Sequence, residues 1–554
     1  MSPRGKGVVP LNLNYQQFRA MRCSRDSAPP KPDEVYYAHG LIIADAENGG
    51  PLRQQVHPQT ALLSGTTSAS KIQALVVFTP GATPHYVVVI DGAVYLDGTL
   101  SVTQANFATA GITFSTTAEV YGVQFGALLV LHDGTNRPFT WDGTAGAGGL
   151  ASLTNAPSKV FGRPVVYYGK LFFIKNVAAA DADRSTLVWS EENQANTGYE
   201  AGGFNNAWTL TQSGQGSMYA LVATNEALYY WRRDSVGKIT GAVTPDFAAA
   251  GVTDSVSQAS GTISPRGACY YEGYLWWVSP TKRPFRVPVG GRGAEPIWTD
   301  IAADIDAYLP PSTSAVSVDP CPMYHGVLVG FARAGGTSCD MQYVFSYRTG
   351  RCLGRLGLPS PITTYPKETV SLRDDTGQLK MIQYVASAGL NGLGSAVYKL
   401  QALEGNWSVA NGTDIPWFVL VPFGDQSAAR VMTRLMELDL TVSFGQTATN
   451  PATSVSVTPV ELRSVSHVST EWSPDAAHLT AIGAAQSVGV PGFLNRAGFR
   501  HAAWGLQSLR RGGYFGLQFS GLAGAATTAF LQVESIHVDG AYEAVTAGFV
   551  DATT

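Results

Sequence analysis

The residue types able to do chemistry are sparse in this chain and poorly spaced for it. Nine histidines (His39, His57, His85, His132, His325, His467, His478, His501 and His537) are scattered along it. None stands three or four residues from another, so no local pair offers two imidazoles to one metal ion. His132-Asp133-Gly134 is the fragment most like a site, although Asp-Gly is a turn dipeptide first. Carboxylates stand side by side at Glu191-Glu192 and Asp374-Asp375. Neighbours on a strand point to opposite faces, so neither pair alone makes the two-carboxylate arrangement of glycoside hydrolysis. A pair assembled at an axis from separate repeats stays open. The chain has no HExxH, GxSxG or P-loop pattern, nor the Ser-x-Asp-x-Gly-x-x-Trp turn of sialidases.

Trp276-Trp277 and Tyr229-Tyr230-Trp231 are of the type that stacks on sugars or bases, but large aromatics more often fill cores. Arg510-Arg511 is the most basic short stretch of the C-terminal region and reads as a solvated loop before a phosphate site. The five cysteines (Cys23, Cys269, Cys321, Cys339 and Cys352) are odd in number and include no CxxC. Buried free thiols are expected, with Cys339 and Cys352 the two that a hairpin would bring face to face. No catalytic, cofactor-binding or metal-ligating residue is assigned, and no cofactor is implied.

The elements that would position any site announce themselves by repetition. An apolar run, a small turn and an aromatic or β-branched run recur as His85–Leu96, Tyr121–Leu131, Pro164–Ile174, Tyr219–Trp231, Ala268–Val278, Met323–Phe331 and, more weakly, Leu372–Ile382. Each is a β-hairpin signal. From the turn at Gly92 to that at Gly377 the mean step is about 47 residues, within the period of propeller blades, although single steps run from roughly 34 to 56. Arg137–Gly143, Ser185–Ser190 and Gln342–Arg351 read as outer strands of the same units. A hairpin cannot bury its apolar face alone, whereas four-stranded blades stacked around an axis can. Unequal spacing keeps an array of β-sandwiches as the competing architecture.

The expected fold class is all-β. A β-propeller of six to eight blades, seven favoured, is expected over residues 71–405, with an irregular arm over 1–70 and an added sandwich-like β domain over 406–554. Ala28-Pro29-Pro30-Lys31-Pro32-Asp33 favours extended backbone, so residues 1 to about 34 are expected to be poorly ordered before assembly. In the last region Pro416–Phe423 reads as a buried strand. Val431–Val442, Tyr514–Gly521 and Leu531–Gly540 alternate apolar with polar, the last with a slip at Glu534-Ser535. The helix candidates are Ile301–Leu309 and Asn14–Met21.

A chain of 554 residues exceeds one core, and its 60 Gly, 31 Pro and 14 % charged residues suit turn-rich β structure. The formal net charge of −4 argues against a sequence-specific duplex binder, which needs a basic face to offset phosphate charge. It suits DNA passing a weakly negative surface without sticking. No apolar stretch follows the basic N-terminal residues and none nears membrane-spanning length, so a protein made in the cytosol without membrane insertion is expected. Asn406-Trp407-Ser408 and Asn411-Gly412-Thr413 are then chance sequons.

The arm leading into Gly40–Arg53, the strand entering a polar loop at Trp189-Ser190-Glu191-Glu192-Asn193, and the hairpin Asn225–Gly241 together resemble the tail nozzle, or tail tubular protein B, of short-tailed bacteriophages. The resemblance covers most of the chain in organisation and rests on no short motif. It implies a β-propeller with added β domains, in a homo-hexameric ring below the portal and adaptor that conducts double-stranded DNA and anchors tail fibres or spikes. It implies a place in the virion tail after assembly in the host cytoplasm, and no catalytic residue. The arm is longer and richer in proline than the family pattern, which puts the mode of adaptor docking in question. The alternative is a carbohydrate-binding or glycan-cleaving propeller acting as a receptor-binding tail component, which three or more acidic residues with aromatics at the axial mouth would favour.

Overall fold

The structure is a computed structural model that describes residues 8–15, 17–22, 33–35, 37–45, 47–54, 59–62, 66, 70–177, 183–210, 216–240, 253–257, 260–302, 316–331, 339, 341–358, 368–373, 377, 379–388, 395–403, 415–423, 431–445, 454–462, 479–481, 486–489, 498–511, 514–523 and 532–546. Seven antiparallel sheets surround one axis. Their innermost strands are Ile72–Phe78, Tyr121–Phe125, Val160–Tyr167, Met218–Ala223, Ala268–Tyr271, Val316–Cys321 and Thr369–Arg373. Each lies against the next and the seventh lies against the first, so the circle closes as a seven-bladed propeller. Blades are numbered 1 to 7 in that order.

Apolar residues fill both faces of the second strands, which is why these read as unbroken apolar runs. In His85–Ile90 of blade 1, Val87 and Val89 pack toward blade 2 while Tyr86, Val88 and Ile90 pack toward blade 7. In Ala227–Arg232 of blade 4, Leu228 and Tyr230 meet blade 3 whereas Tyr229 and Trp231 meet blade 5. The period of two thus serves two cores. Tight two-residue turns set the register. Asp91-Gly92, Asp97-Gly98, Tyr168-Gly169 and Glu272-Gly273 hold positive φ at both positions, the geometry that matches strand twist in a hairpin.

Two sequence expectations shift in detail. Copies two to five and seven of the repeated phrase join first and second strands of a blade, Met323–Phe331 is the 3-10 turn and second strand of blade 6, and His85–Leu96 joins the second and third strands of blade 1. The innermost strand of that blade, Ile72–Phe78, precedes it across Thr79–Pro84. This slip of one strand produces the short first step. Likewise Phe139–Trp141, Thr186–Glu191 and Met341–Ser346 are third strands, each with a further strand outside it.

The N-terminal segment departs from an irregular arm. Gln59–Leu62 is the outermost strand of blade 7, paired with Ser395–Leu403, so the chain's beginning closes the propeller. Tyr37–His39 lies between Cys352–Arg355 of blade 6 and Ile415–Phe423, joining blade 6 to the C-terminal strands in one sheet. Val8–Tyr15 pairs with Gln532–Thr546. Phe18, Ala20 and Met21 are fully buried, and the segment read as a helix over Asn14–Met21 holds the end of the strand Val8–Tyr15, a bridge from Phe18 to Gly50 and the short strand Ala20–Met21. Residues 23–32, with the proline cluster, lie outside the described residues, as does most of Ile301–Leu309, whose start is the 3-10 turn Trp298–Ile301. The α-helix Gln104–Thr109, capped by Thr103, carried no sequence signal strong enough to be named.

The C-terminal strands are long. Val431–Gly445, Gly498–Arg511 and Gln532–Thr546 form one antiparallel sheet, and Ile415–Phe423 pairs with Tyr514–Ala523 in another. The slip read at Glu534-Ser535 is a β-bulge: Ser443 pairs with Ser535 and Phe444 with Val533.

If the N-terminal segment is built in as described, Phe18→Ala leaves a cavity and costs about 3–5 kcal/mol in urea unfolding of the full chain. A change within about 0.5 kcal/mol, the surface range, would mark a loose arm instead.

Candidate functional site

Six of the seven innermost strands carry a polar residue within them or just ahead of them: Gln73 in blade 1, Glu119 ahead of blade 2, Arg163 in blade 3, Arg266 ahead of blade 5, Asp319 in blade 6 and Glu368 ahead of blade 7. A propeller brings such positions to its axis from every side. The bulge around Gly162, whose φ of 71° suits glycine, displaces the strand that presents Arg163.

Arg266 crosses the axis. From blade 5, its Nη2 donates to the backbone carbonyls of Gln73 and Val120 at 3.0 Å each, on the opposite side of the ring. Its Nη1 donates to Glu119 Oε2 at 2.6 Å, and its Nε stands 3.1 Å from Glu368 Oε1. The guanidinium lies 4.6 Å over the ring of Tyr121, a cation–π contact. Arg163 Nη2 reaches Glu368 Oε1 at 2.8 Å and Asp319 Oδ1 at 3.4 Å. Glu368 Oε2 also accepts from Leu75 N at 2.9 Å, and Asp319 Oδ2 from Thr369 N at 3.0 Å. One cluster therefore ties blades 1, 2, 3, 5, 6 and 7 together.

Burial tunes these charges in opposite directions. Burial opposes ionisation of Glu368, but Arg266 and Arg163 outweigh it and hold the carboxyl below its ordinary value. Asp319 is pushed up to about 6, first by burial and then by Glu368, against the pull of Arg163. Both arginines are pushed up by their acidic partners despite burial. Arg163 and Glu119 are the more open members, with side chains 25 % and 30 % exposed. The cluster sets three carboxylates and Tyr121 around two guanidiniums, yet Glu368 and Asp319 are almost fully enclosed and their oxygens are engaged by protein donors.

The residues singled out from sequence are not brought together. His132 is buried, bonded through Nε2 to Gly162 O at 2.8 Å and pushed down to about 4 by burial. Asp133 accepts from the backbone of Ser115, Thr135 and Asn136, organising a turn. Glu191 accepts from Asn206 Nδ2 at 2.7 Å while Glu192 is exposed, and Asp374-Asp375 lies outside the described residues. Tyr229, Tyr230, Trp231 and Trp277 are core, and Trp276 is buried beneath Arg286. Cys269, Cys321, Cys339 and Cys352 are buried and form no disulfide. Arg510 and Arg511 end a strand opposite Thr433 and Met432, so they lie in a sheet and not in a loop. Among the described residues no group of three His, Cys, Asp or Glu is arranged to hold a metal ion, and no helix is long and apolar enough to cross a membrane. Sequence reading missed the axial cluster. Its signal was a polar residue in or just ahead of six of the seven inner strands, visible once the repeats are set in one phase.

No known protein family and no curated protein matches the chain. Solved structures match in fold. The extracellular domain of BT4673 from B. thetaiotaomicron is 11 % identical with a TM-score of 0.38, over 62 % of this chain and 40 % of that one. BamB from Moraxella catarrhalis is 12 % identical with a TM-score of 0.31, over 64 % and 94 %. Glutaminyl cyclase of Myxococcus xanthus is 12 % identical with a TM-score of 0.22, over 44 % and 91 %. The chain thus spans less than half of the first of these, and likeness at this level concerns architecture alone.

Two measurements probe the cluster. Arg266→Met strands Glu368 and Glu119 without their shared cation and is expected to cost about 3–5 kcal/mol in urea unfolding, with no rescue by Arg266→Lys, which lacks the fork. Asp319 supplies a pH signature. Its folded value of about 6 lies above the ordinary 3.8, so the folded state holds the extra proton. The stability that the protonated carboxyl contributes is complete below about pH 4 and lost as pH rises through about 6. Relative to Asp319→Asn, the natural chain should lose about 2 kcal/mol between pH 4 and pH 7. Parallel curves would remove Asp319 from the buried network.

Proposed function

We propose that this chain is a structural ring protein of a short-tailed bacteriophage virion, the tail nozzle, and carries no catalytic site. The carrying observation is that Arg266 spans the propeller axis and is locked there by Glu119, Glu368 and two backbone carbonyls. A propeller strapped across its own centre conducts nothing along that axis, so a path for double-stranded DNA lies between copies. Six copies in head-to-tail contact close such a path without leaving an open end. Portal or adaptor ring above and fibres or spikes at the side are the partners this reading names, in a virion tail assembled in the host cytoplasm. The mild negative charge fits transit, since each neutralised phosphate would add salt-dependent affinity.

The three axial carboxylates beside Tyr121 favour a second reading, a glycan-cleaving propeller. Their engagement with arginines and backbone amides weighs against it, because a general acid or nucleophile needs a face open to substrate.

Cryo-electron microscopy of the purified chain and of virions tests the first reading: a six-fold ring at the tail is expected, and a monomer at every concentration with no ring in virions would overturn it. Sugar release from host surface polysaccharide, abolished by Glu119→Gln, would establish the second.

A further inference from the structure

The C-terminal sheet that receives the N-terminal strand has an order with a geometric consequence. Reading across it, Gly498–Arg511 pairs with Val431–Gly445, which pairs with Gln532–Thr546, which pairs with Val8–Tyr15, every pair antiparallel. The outer edges of Gly498–Arg511 and Val8–Tyr15 make no strand pairing among the described residues. The first is a 14-residue strand, and an unpaired edge of about 46 Å is a template for another chain.

Over residues 536–543 four strands lie side by side, so the two free edges there run in opposite directions; at residues 532–533 Leu52–Gln54 and then Leu41–Ile43 continue the sheet instead. A second copy placed beside the first therefore continues the antiparallel alternation without a break. Because the edges are different, the contact is head-to-tail, the kind that closes rings. The register also divides the sheet into two unlike faces. Glu437, Asp439 and Thr441 stand opposite Ala541, Asp539 and His537, and Asn12 and Asn14 continue that face. Leu438, Leu440 and Val442 stand opposite Gly540, Val538 and Ile536, and Leu11, Leu13 and Tyr15 continue the other. In the edge strand, Gly505, Ala503 and His501 stand on the first of these faces and Trp504, Ala502 and Arg500 on the second.

We infer that the Gly498–Arg511 edge of one copy pairs with the Val8–Tyr15 edge of the next, so that the C-terminal sheets join into one closed barrel. The inference rests on the ring reading and names its interface. Pro10, near the start of its strand, lacks a donor and leaves Leu11–Tyr15 as the pairing stretch. Six copies of four strands, about 4.8 Å apart and tilted about 40°, give a backbone diameter of about 48 Å. Side chains filling about 5 Å on each wall leave about 38 Å, room for a DNA duplex about 20 Å across.

Cysteine pairs across the two edges test this. Within one chain the edges are three strand spacings apart, about 14 Å, whereas a disulfide needs Cα atoms within about 7 Å. A bond between them therefore forms only between copies. Asn12→Cys is combined in turn with His501→Cys, Ala503→Cys and Gly505→Cys, positions that the register puts on the same face. After mild oxidation of the full-length protein, at least one combination is expected to give a ladder of covalent oligomers ending at six on a denaturing gel. The single variants should give none. A ring seen by mass photometry with no ladder from any combination, both thiols being reactive to a maleimide, overturns the edge pairing and leaves the ring reading standing. Absence of any ring in the natural chain overturns both. Ala502→Pro and Ala503→Pro give a second readout: one of two successive residues has its N–H on the outer edge, and that variant should keep its circular dichroism spectrum while losing the ring.

Discussion

The ion pair between Arg266 and Glu368 is the constraint on which the propeller depends. Glu368 introduces the last blade, and its two oxygens receive donors from blades 1, 3 and 5. A carboxylate taken this far from water is tolerable only when several donors replace the lost hydration. The same engagement by three blades fixes where blade 7 must stand for the circle to close. Apolar packing between blades tolerates small changes of angle, whereas a charge-assisted bond across the axis does not. The cluster is therefore a device for geometric specificity, and its net contribution to stability is the smaller part of its effect.

That constraint separates the two ends of the molecule in function. The axis is crossed by charged side chains, and the long strands with unpaired edges belong to the C-terminal sheet. The connection between the two is Tyr37–His39. Arg355 Nη1 donates to the Tyr37 hydroxyl at 2.9 Å, and Gly40 N donates to Arg355 O at the same distance. Burial, with help from Arg355, pushes His39 down to about 3, so this joint stays uncharged on the histidine side across the physiological range. A second clamp lies nearby, where Arg351 reaches both Glu34 and Asp300 at 2.7 Å. N-terminal residues are thus bonded to blade 6 by charge and to the C-terminal strands by backbone pairing.

What the sequence made legible follows from burial. Second strands with both faces covered stand out as apolar runs, so seven units were countable from Val87, Leu129, Phe172, Tyr229, Trp276, Leu328 and Ile382 alone. Phase was harder. Blade 1 has an equally apolar third strand, Ala93–Leu96, and its hairpin carries the stronger turn, so the periodic signal locked one strand late. Gln59–Leu62 and Tyr37–His39 are only four and three residues long, too short for any period, and their partners lie more than 300 residues away. The axial cluster was hidden for a related reason. Each member is a single charged residue in its own repeat, unremarkable until closure of the ring brings Glu119, Arg163, Arg266, Asp319 and Glu368 together.

Sequence separation then bears on how the molecule reaches its state. The propeller cannot close on local contacts, since blade 7 needs a strand from residues 59–62 and the C-terminal sheet needs one from residues 8–15. Until those strands dock, two sheet edges stay open, and open edges invite pairing with other chains. Docking of Val8–Tyr15 removes the edge of Gln532–Thr546 and creates another of opposite direction to Gly498–Arg511. The completed fold is therefore the first state in which that sheet carries two long edges running in opposite directions. Association between copies that depends on this pair of edges would follow monomer folding and not compete with it, which is the order a closed ring requires.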